Sequence, residues 1–378
     1  MATIQVLKPK FHIDECLEQI RECLEKGWTG SGFKTAEFEK KWKEYTGHAN
    51  ACYLNSNTAG LHLAVNILKR RYGWQDGDEI ISSPITFVST NHAIMYERMK
   101  PCFADVDEYL CIDPADVEKK INDKTRAIMF VGYGGRVGQL DKIIALCKKY
   151  GLRLILDAAH MSGTRVNGVF PGTWEGVDVA VYSFQAVKNL PTGDSGMICF
   201  ADEALDKECR MVSWMGINKD TYARTTSEGT YKWNYGVDYL GYKYNGNAVM
   251  AAIALAQLPY LDEENARRRE IAAMYDKAFS TNPKIHIIGA PYADECSYHI
   301  YEIAVPDREA LLGELAKNDI YGGVHYRDNT EFSMYTYAQG NCPHAHEISQ
   351  HIITMPLHMY LTDEDVNRIT EIVNGFVK

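Results

Sequence analysis

Arg153-Leu154-Ile155-Leu156-Asp157-Ala158-Ala159-His160, followed by Val177-Asp178-Val179-Ala180-Val181-Tyr182-Ser183-Phe184-Gln185-Ala186-Val187-Lys188, reads as two successive strands of the buried type. The first delivers an acid and then a histidine at its carboxyl end. The second runs into a glycine-containing loop with Lys188 four positions beyond Phe184. In open α/β sheets, ligands sit at the carboxyl ends of the strands, so Asp157 and Lys188 can face one crevice.

Outward from this pair, apolar runs of strand length alternate with helical periodicity between about residues 50 and 200, which argues for βαβ units and a mostly parallel sheet. Further strands are expected at Ala51 to Leu54, Glu79 to Pro84, Pro101 to Val106, Arg126 to Tyr133 and Gly196 to Ala201. Leu140 to Tyr150 carries Ile143, Ile144 and Cys147 on one face, and Gly151 supplies its stop. Asp113-Pro114 reads as a cap with proline at the first helical position. Gly216 to Asn247, rich in Tyr and Gly, lacks periodicity and reads as a long ordered excursion. A long helix follows from Asn247 to Leu261 and again from Glu263 to Phe279. A strand at Tyr298 to Val305 and helices at Asp307 to Lys317 and Thr362 to Val377 complete a smaller α+β unit. The expected division is 1–250 for the large domain with its N-terminal segment and 251–378 for the small one.

The chain of 378 residues is 46% hydrophobic and 24% charged, with a net charge of −10. No dense Lys/Arg stretch offers a nucleic-acid footprint, and Lys69, Arg70 and Arg71 suit a helix C-terminus. No apolar run approaches the roughly 20 residues of a membrane span, and no signal-peptide core follows Met1, so a cytoplasmic protein is expected. Its 10 cysteines form no CxxC pair and read as reduced core thiols. Cys342, His344 and His346 lie close together without a second cysteine pair, so no metal site is expected.

Asp157 and Lys188 are what a pyridoxal-phosphate (PLP) enzyme needs: an amine to condense with the cofactor aldehyde, and a carboxylate that keeps the pyridine nitrogen protonated so that the ring accepts electrons. Singly, a strand-terminal Asp also serves as a cap and a loop Lys as a solvated charge. A phosphate site is offered by Asn55-Ser56-Asn57-Thr58-Ala59-Gly60-Leu61, which opens a helix whose free N–H groups and Thr58 hydroxyl can face an anion. An ordinary helix cap is the alternative there. Ser183 can add a second hydroxyl.

Gly27-Trp28-Thr29-Gly30, the Asn55 to Leu61 segment, Asp157 to His160, Ser183-Phe-Gln-Ala-Val-Lys188, Gly241-Tyr-Lys-Tyr-Asn245 and His325-Tyr326 fall in the order and approximate spacing of one family. Over nearly its whole length the chain resembles the DegT/DnrJ/EryC1/StrS sugar aminotransferases. The resemblance implies an α/β protein of the aspartate-aminotransferase type I fold, with a large mostly parallel-sheet domain and a smaller C-terminal α+β domain. It also implies a homodimer with shared active sites, a place in polysaccharide biosynthesis, and pyridoxal 5'-phosphate held by Lys188 as a Schiff base. Asp157 then pairs with the pyridinium nitrogen, His160 lies near the ring hydroxyl, and Asn57, Thr58 and Ser183 bind the phosphate. Phe87 stacks on the ring, although core packing is an equally natural task for it. Asn245 reaches the cofactor phosphate of the neighbouring subunit. Trp28, His299, His325 and Tyr326 are candidates for the substrate pocket, with His299 alternatively a satisfied core histidine.

The implied reaction moves an amino group from glutamate to a keto group of a nucleotide-linked sugar, of the 4-keto-6-deoxy type. Gly193-Asp194-Ser195-Gly196 and His325-Tyr326-Arg327-Asp328 depart from the family's usual pattern, which keeps open a cyclitol or a small phosphorylated ketone as acceptor. Lys188 counts against PLP-dependent dehydration, and the presence of both Lys188 and Asp157 counts against a catalytically silent binding or regulatory protein. A nicotinamide-binding fold lacks its GxGxxG, for which Gly132-Tyr-Gly-Gly135 is a poor match.

Overall fold

The computed structural model describes residues 3–218 and 235–378. Two N-terminal helices, α1 (Ile13–Glu25) and α2 (Phe33–Thr46), precede β1 (Asn50–Leu54), α3 (Asn57–Tyr72), β2 (Glu79–Ser82), α4 (Ser89–Tyr96) and β3 (Lys100–Phe103). Next come α5 (Pro114–Lys120), β4 (Thr125–Val131), α6 (Leu140–Tyr150), β5 (Arg153–Asp157), β6 (Val179–Ser183), β7 (Gly196–Phe200) and α7 (Glu203–Val212). The C-terminal part contains α8 (Ala248–Gln257), α9 (Leu261–Phe279), β8 (His286–Ile287), β9 (Tyr301–Ala304), α10 (Arg308–Lys317), α11 (Pro343–His351), β10 (Ile352–Met355) and α12 (Asp363–Phe376).

The first seven strands form one sheet in the order β1-β7-β6-β5-β4-β2-β3. It is parallel except at β7, which runs against both β6 and β1. Its strands are apolar on both faces because both faces are covered. Ile155 faces one core with Ala127, Met129 and Val181, while Leu154 and Leu156 face the other with Ile128 and Phe130. A second sheet, β10-β9-β8, is antiparallel and packs with α9, α10 and α12 around Ile303, Ile353 and Val366.

Most expected elements are present with small shifts. Asp113 caps α5, Gly151 ends α6 in the left-handed conformation, and Thr362 and Asp365 form a capping box on α12. The long helix near residue 250 is interrupted at Leu258–Tyr260, where Pro259 brings no N–H to the helical ladder. A boundary at 250/251 falls inside α8, which packs on α1 and α2. Ile4 bridges to Ile320, so the segment before α1 reaches the smaller sheet's unit. Of the expected excursion between Gly216 and Asn247, residues 219–234 lie outside the described residues. Among the described residues, no helix is long and apolar enough to cross a membrane.

Candidate active site

Since β7 opposes both neighbours, β1, β4, β5 and β6 all end at the same edge of the sheet, and their carboxyl ends build the site. Gly196 opens β7 between Leu54 of β1 and Ser183 of β6. A Cβ there would stand 2.6 Å from the Asn57 backbone nitrogen, so only glycine lets the start of α3 come so close to β7. A Cβ at Gly60 would likewise stand 2.5 Å from Val181. These two glycines seat the amino end of α3 against the strand that leads to Lys188.

The resulting cavity of about 430 Å³ is lined by Ser56, Asn57, Thr58, Phe87, Asp157, His160, Ser183, Lys188, His325 and Tyr326, among others. The structure therefore brings together nine of the expected site residues: Asn57, Thr58, Phe87, Asp157, His160, Ser183, Lys188, His325 and Tyr326. Phe87 is 59% exposed and forms a wall of the cavity, not part of the core.

Asp157 is buried at the floor. Its Oδ1 accepts from Asn57 Nδ2 at 3.3 Å and from the Ala159 N–H at 3.2 Å, and its Oδ2 accepts from the Thr90 hydroxyl at 2.8 Å. Burial raises its pKa against the opposing pull of these bonds and of Lys188. Lys188 in turn is brought down to about 8 by burial, with Asp157 acting the other way. Each charge lacks full compensation, as expected of a site organised for a further group.

Asn57 differs from the expectation in one respect. Its side-chain amide is committed to Asp157 and to the Val181 carbonyl at 3.0 Å, so its contribution to an anion is its backbone N–H. The N–H groups of Asn57 and Thr58 precede the helix's own hydrogen-bond ladder, and Ser56 caps the next one at Ala59. His160 accepts the Gly134 N–H on Nδ1 at 3.1 Å, which places the proton of the neutral ring on Nε2, 3.3 Å from the Tyr326 hydroxyl. Burial, reinforced by Lys188, holds its pKa well below the usual range.

His299 is a second correction. It does not line the cavity but lies behind Lys188, nearly fully buried, with Nε2 3.4 Å from Lys188 Nζ. Trp28 and Asn245 are also apart from Lys188 in this chain. They line a second cavity of about 460 Å³ together with Arg210, Trp214 and Lys243. Sequence reading missed Thr90 and Thr86, which extend the support of Asp157 (Thr86 to Thr90, 2.9 Å). The only signal was their place beside Phe87 at the start of α4.

PLP fits this donor set. Asp157 Oδ2 takes a single hydrogen bond and retains a lone pair for a protonated ring nitrogen. The helix start and Ser183 offer N–H and O–H donors to a phosphate, Phe87 offers an aromatic face, and Lys188 offers an amine of lowered pKa. The family model for DegT/DnrJ/EryC1/StrS aminotransferases matches residues 12–374. The chain belongs to that family. As a family member it is a PLP-dependent aminotransferase, an identification with which the Lys188 cavity agrees. It is 33% identical over 376 residues to the spore coat polysaccharide biosynthesis protein SpsC of Bacillus subtilis, covering 96% of this chain and 95% of the relative. The crystal structure of the aminotransferase TlmJ from Streptoalloteichus hindustanus superposes with a TM-score of 0.89 at 31% identity, covering 99% of this chain and 98% of that one. A putative sugar aminotransferase from Streptococcus pneumoniae, solved in its PLP-form, gives 0.88 at 27% identity over 100% of both chains. The type I fold of this aminotransferase thus accords with its mixed seven-stranded sheet.

Proposed function

We propose that this aminotransferase moves the amino group of glutamate onto a keto group of a nucleotide-linked sugar, of the 4-keto-6-deoxy type. The observation that carries the reading is the lining of the Lys188 cavity: among the described residues its one cation is Lys188, beside the carboxylates of Asp157 and Asp194, and the rest is hydroxyl, amide, imidazole, aromatic and aliphatic. With no arginine among its described lining residues, the cavity suits alternate entry of an amino acid and a substrate that has no carboxylate beside the reacting carbon. The names of the S. pneumoniae and B. subtilis relatives, a putative sugar aminotransferase and a polysaccharide biosynthesis protein, support the same substrate class.

PLP supplies the electron sink when bound. Asp157 holds the positive charge of the ring nitrogen, and Thr90 and Asn57 fix that carboxylate. The Asn57 and Thr58 N–H groups, the Thr58 hydroxyl and Ser183 bind the phosphate. Phe87 would cover one face of the ring, and His160 would lie near its hydroxyl. Lys188 Nζ, lowered to about 8, holds the cofactor and moves the proton at the substrate carbon that carries the amine. His325 and Tyr326 orient the acceptor.

The protein works as a homodimer in the cytoplasm. Trp28 and Asn245 belong to the partner's site, a reading supported by their common cavity away from Lys188. In this reading residues 1–250 carry most of the cofactor-holding unit and 251–378 most of the smaller unit, with α8 running across the division and Ile4 joining the smaller unit. Incubation with glutamate and a panel of nucleotide-linked 3-keto and 4-keto sugars, cyclitol ketones and small phosphorylated ketones, read by product mass, tests the acceptor. Amination of a cyclitol or phosphorylated ketone in preference to every keto sugar overturns it.

A further inference from the structure

His299 reaches Lys188 from outside the lining of the cavity. Its ring is almost fully buried, and both ring nitrogens have partners. Nδ1 lies 3.0 Å from Asn189 Oδ1, and Nε2 lies 3.4 Å from Lys188 Nζ. Which nitrogen carries the proton follows from the groups behind it. Asn265 donates through Nδ2 to the Ser162 carbonyl at 2.9 Å, so its Oδ1 faces Asn189. Asn189 donates through Nδ2 to that Oδ1 at 2.7 Å and to the Ser297 carbonyl at 2.8 Å. Two backbone carbonyls, which can only accept, thus fix both amides. Asn189 presents an oxygen to His299, and an oxygen needs an N–H at Nδ1. The lone pair of the neutral ring is therefore on Nε2, aimed at the lysine. Asn189 directly follows Lys188, so one loop carries both the amine and the group that sets its partner's tautomer.

We propose that His299 is a positioning residue for Lys188: the Asn265–Asn189 relay locks its proton on Nδ1, and its Nε2 lone pair accepts from the ε-amine and holds it in place. The inference rests on Lys188 being the cofactor amine. The relay is polar, buried and directional, and a histidine that served only to fill the core would not need its outer nitrogen on the lysine. The other titratable or charged groups facing the pair are Asp157, His160, whose ring centroid is 4.3 Å from that of His299, His325 and Arg268.

The test uses the full-length protein freed of cofactor, with acetic anhydride as a trace label and the extent of Lys188 acetylation read by mass spectrometry against pH. An acceptor stabilises the ammonium more than the amine. His299→Phe should therefore shift the labelling midpoint down by about half a pH unit, giving roughly two- to threefold faster labelling near neutral pH and equal rates at high pH. His299→Gln, which keeps an amide acceptor, should stay near the wild-type midpoint. An unchanged midpoint in His299→Phe, or a shift equally large in His299→Gln, overturns the proposal. Should His299→Phe fail to fold, nitrogen-15 NMR of the histidine-labelled wild-type protein, assigned with His299→Gln, decides. A protonated Nδ1 and a bare Nε2 are expected, and a proton on Nε2 overturns it. Neither readout depends on turnover, so a failure here is distinct from a failure to find the pyridoxyl group on Lys188.

Discussion

Thr90 donates its hydroxyl to Oδ2 of Asp157 at 2.8 Å, making a residue at the start of one helix the sole described hydrogen-bond partner of one oxygen of the buried carboxylate. Hydrogen bonds to a charged group contribute about 1.5–3 kcal/mol each. Thr90→Val keeps the shape and loses the donor, so the Asp157 pKa should rise further and its hold on a protonated ring nitrogen weaken. Affinity for PLP, measured by absorbance titration of the cofactor-free protein, should fall on the order of tenfold. Thr90→Ser should restore most of it. Equal affinity in the valine variant would show that Asp157 does not depend on this bond.

Lys188 imposes a cost on folding in the absence of cofactor. Its native pKa of about 8 lies below the ordinary 10.5. Between those two values the unfolded chain still holds a proton that the native chain has released, so stability rises as pH increases through the window. Near neutral pH the penalty is fully present. Lys188→Met, with a similar stem and no charge, should be more stable than wild type there, by on the order of 1–3 kcal/mol. The advantage should shrink as pH approaches 10.5. Thermal unfolding of both cofactor-free proteins across pH checks the sign, and a constant difference would contradict it.

His325 Nδ1 lies 2.9 Å from the Thr354 hydroxyl, so the small sheet holds this ring at the cavity. Burial, aided by Lys188, brings its pKa down to about 4, and it acts as a neutral group. His325→Ala should slow amine transfer to the acceptor ketone by roughly tenfold or more, while leaving the glutamate half-reaction almost unchanged. Stopped-flow absorbance resolves the two. Equal slowing of both would assign His325 to the cofactor or the fold.

Shared sites make a prediction about mixtures. If Asn245 serves the partner's cavity, Lys188→Ala and Asn245→Ala are each impaired alone, yet their heterodimer contains one intact site. Random exchange in an equal mixture should restore roughly a quarter of wild-type activity. No recovery, with subunit exchange verified by light scattering and tagged pull-down, would place Asn245 in its own chain's site.

Much of the site is legible in the sequence because it sits at strand ends. Asp157 and Ser183 follow runs of uninterrupted apolar residues, Lys188 lies in the loop after Ser183, and the helix start at Ser56 carries an ordinary capping signal. What sequence leaves hidden is contact made across distance. Asn57 has the composition of a phosphate ligand, but its amide turns inward because Asp157 needs a donor. Thr90 has no local pattern that points to a carboxylate 67 positions away. His299 resembles a pocket residue or a core histidine, and only its juxtaposition with Asn189 and Lys188 shows what it faces. The break at Pro259 was open to reading from the proline alone.

Lys188 is the group on which the rest depends. Borohydride reduction of the PLP-loaded protein, followed by proteolysis and peptide mapping by mass spectrometry, finds the residue that holds the cofactor. The expected result is a single pyridoxyl-modified peptide with the label on Lys188, lost in Lys188→Ala. A label on any other lysine, or undiminished labelling of the alanine variant, would contradict it.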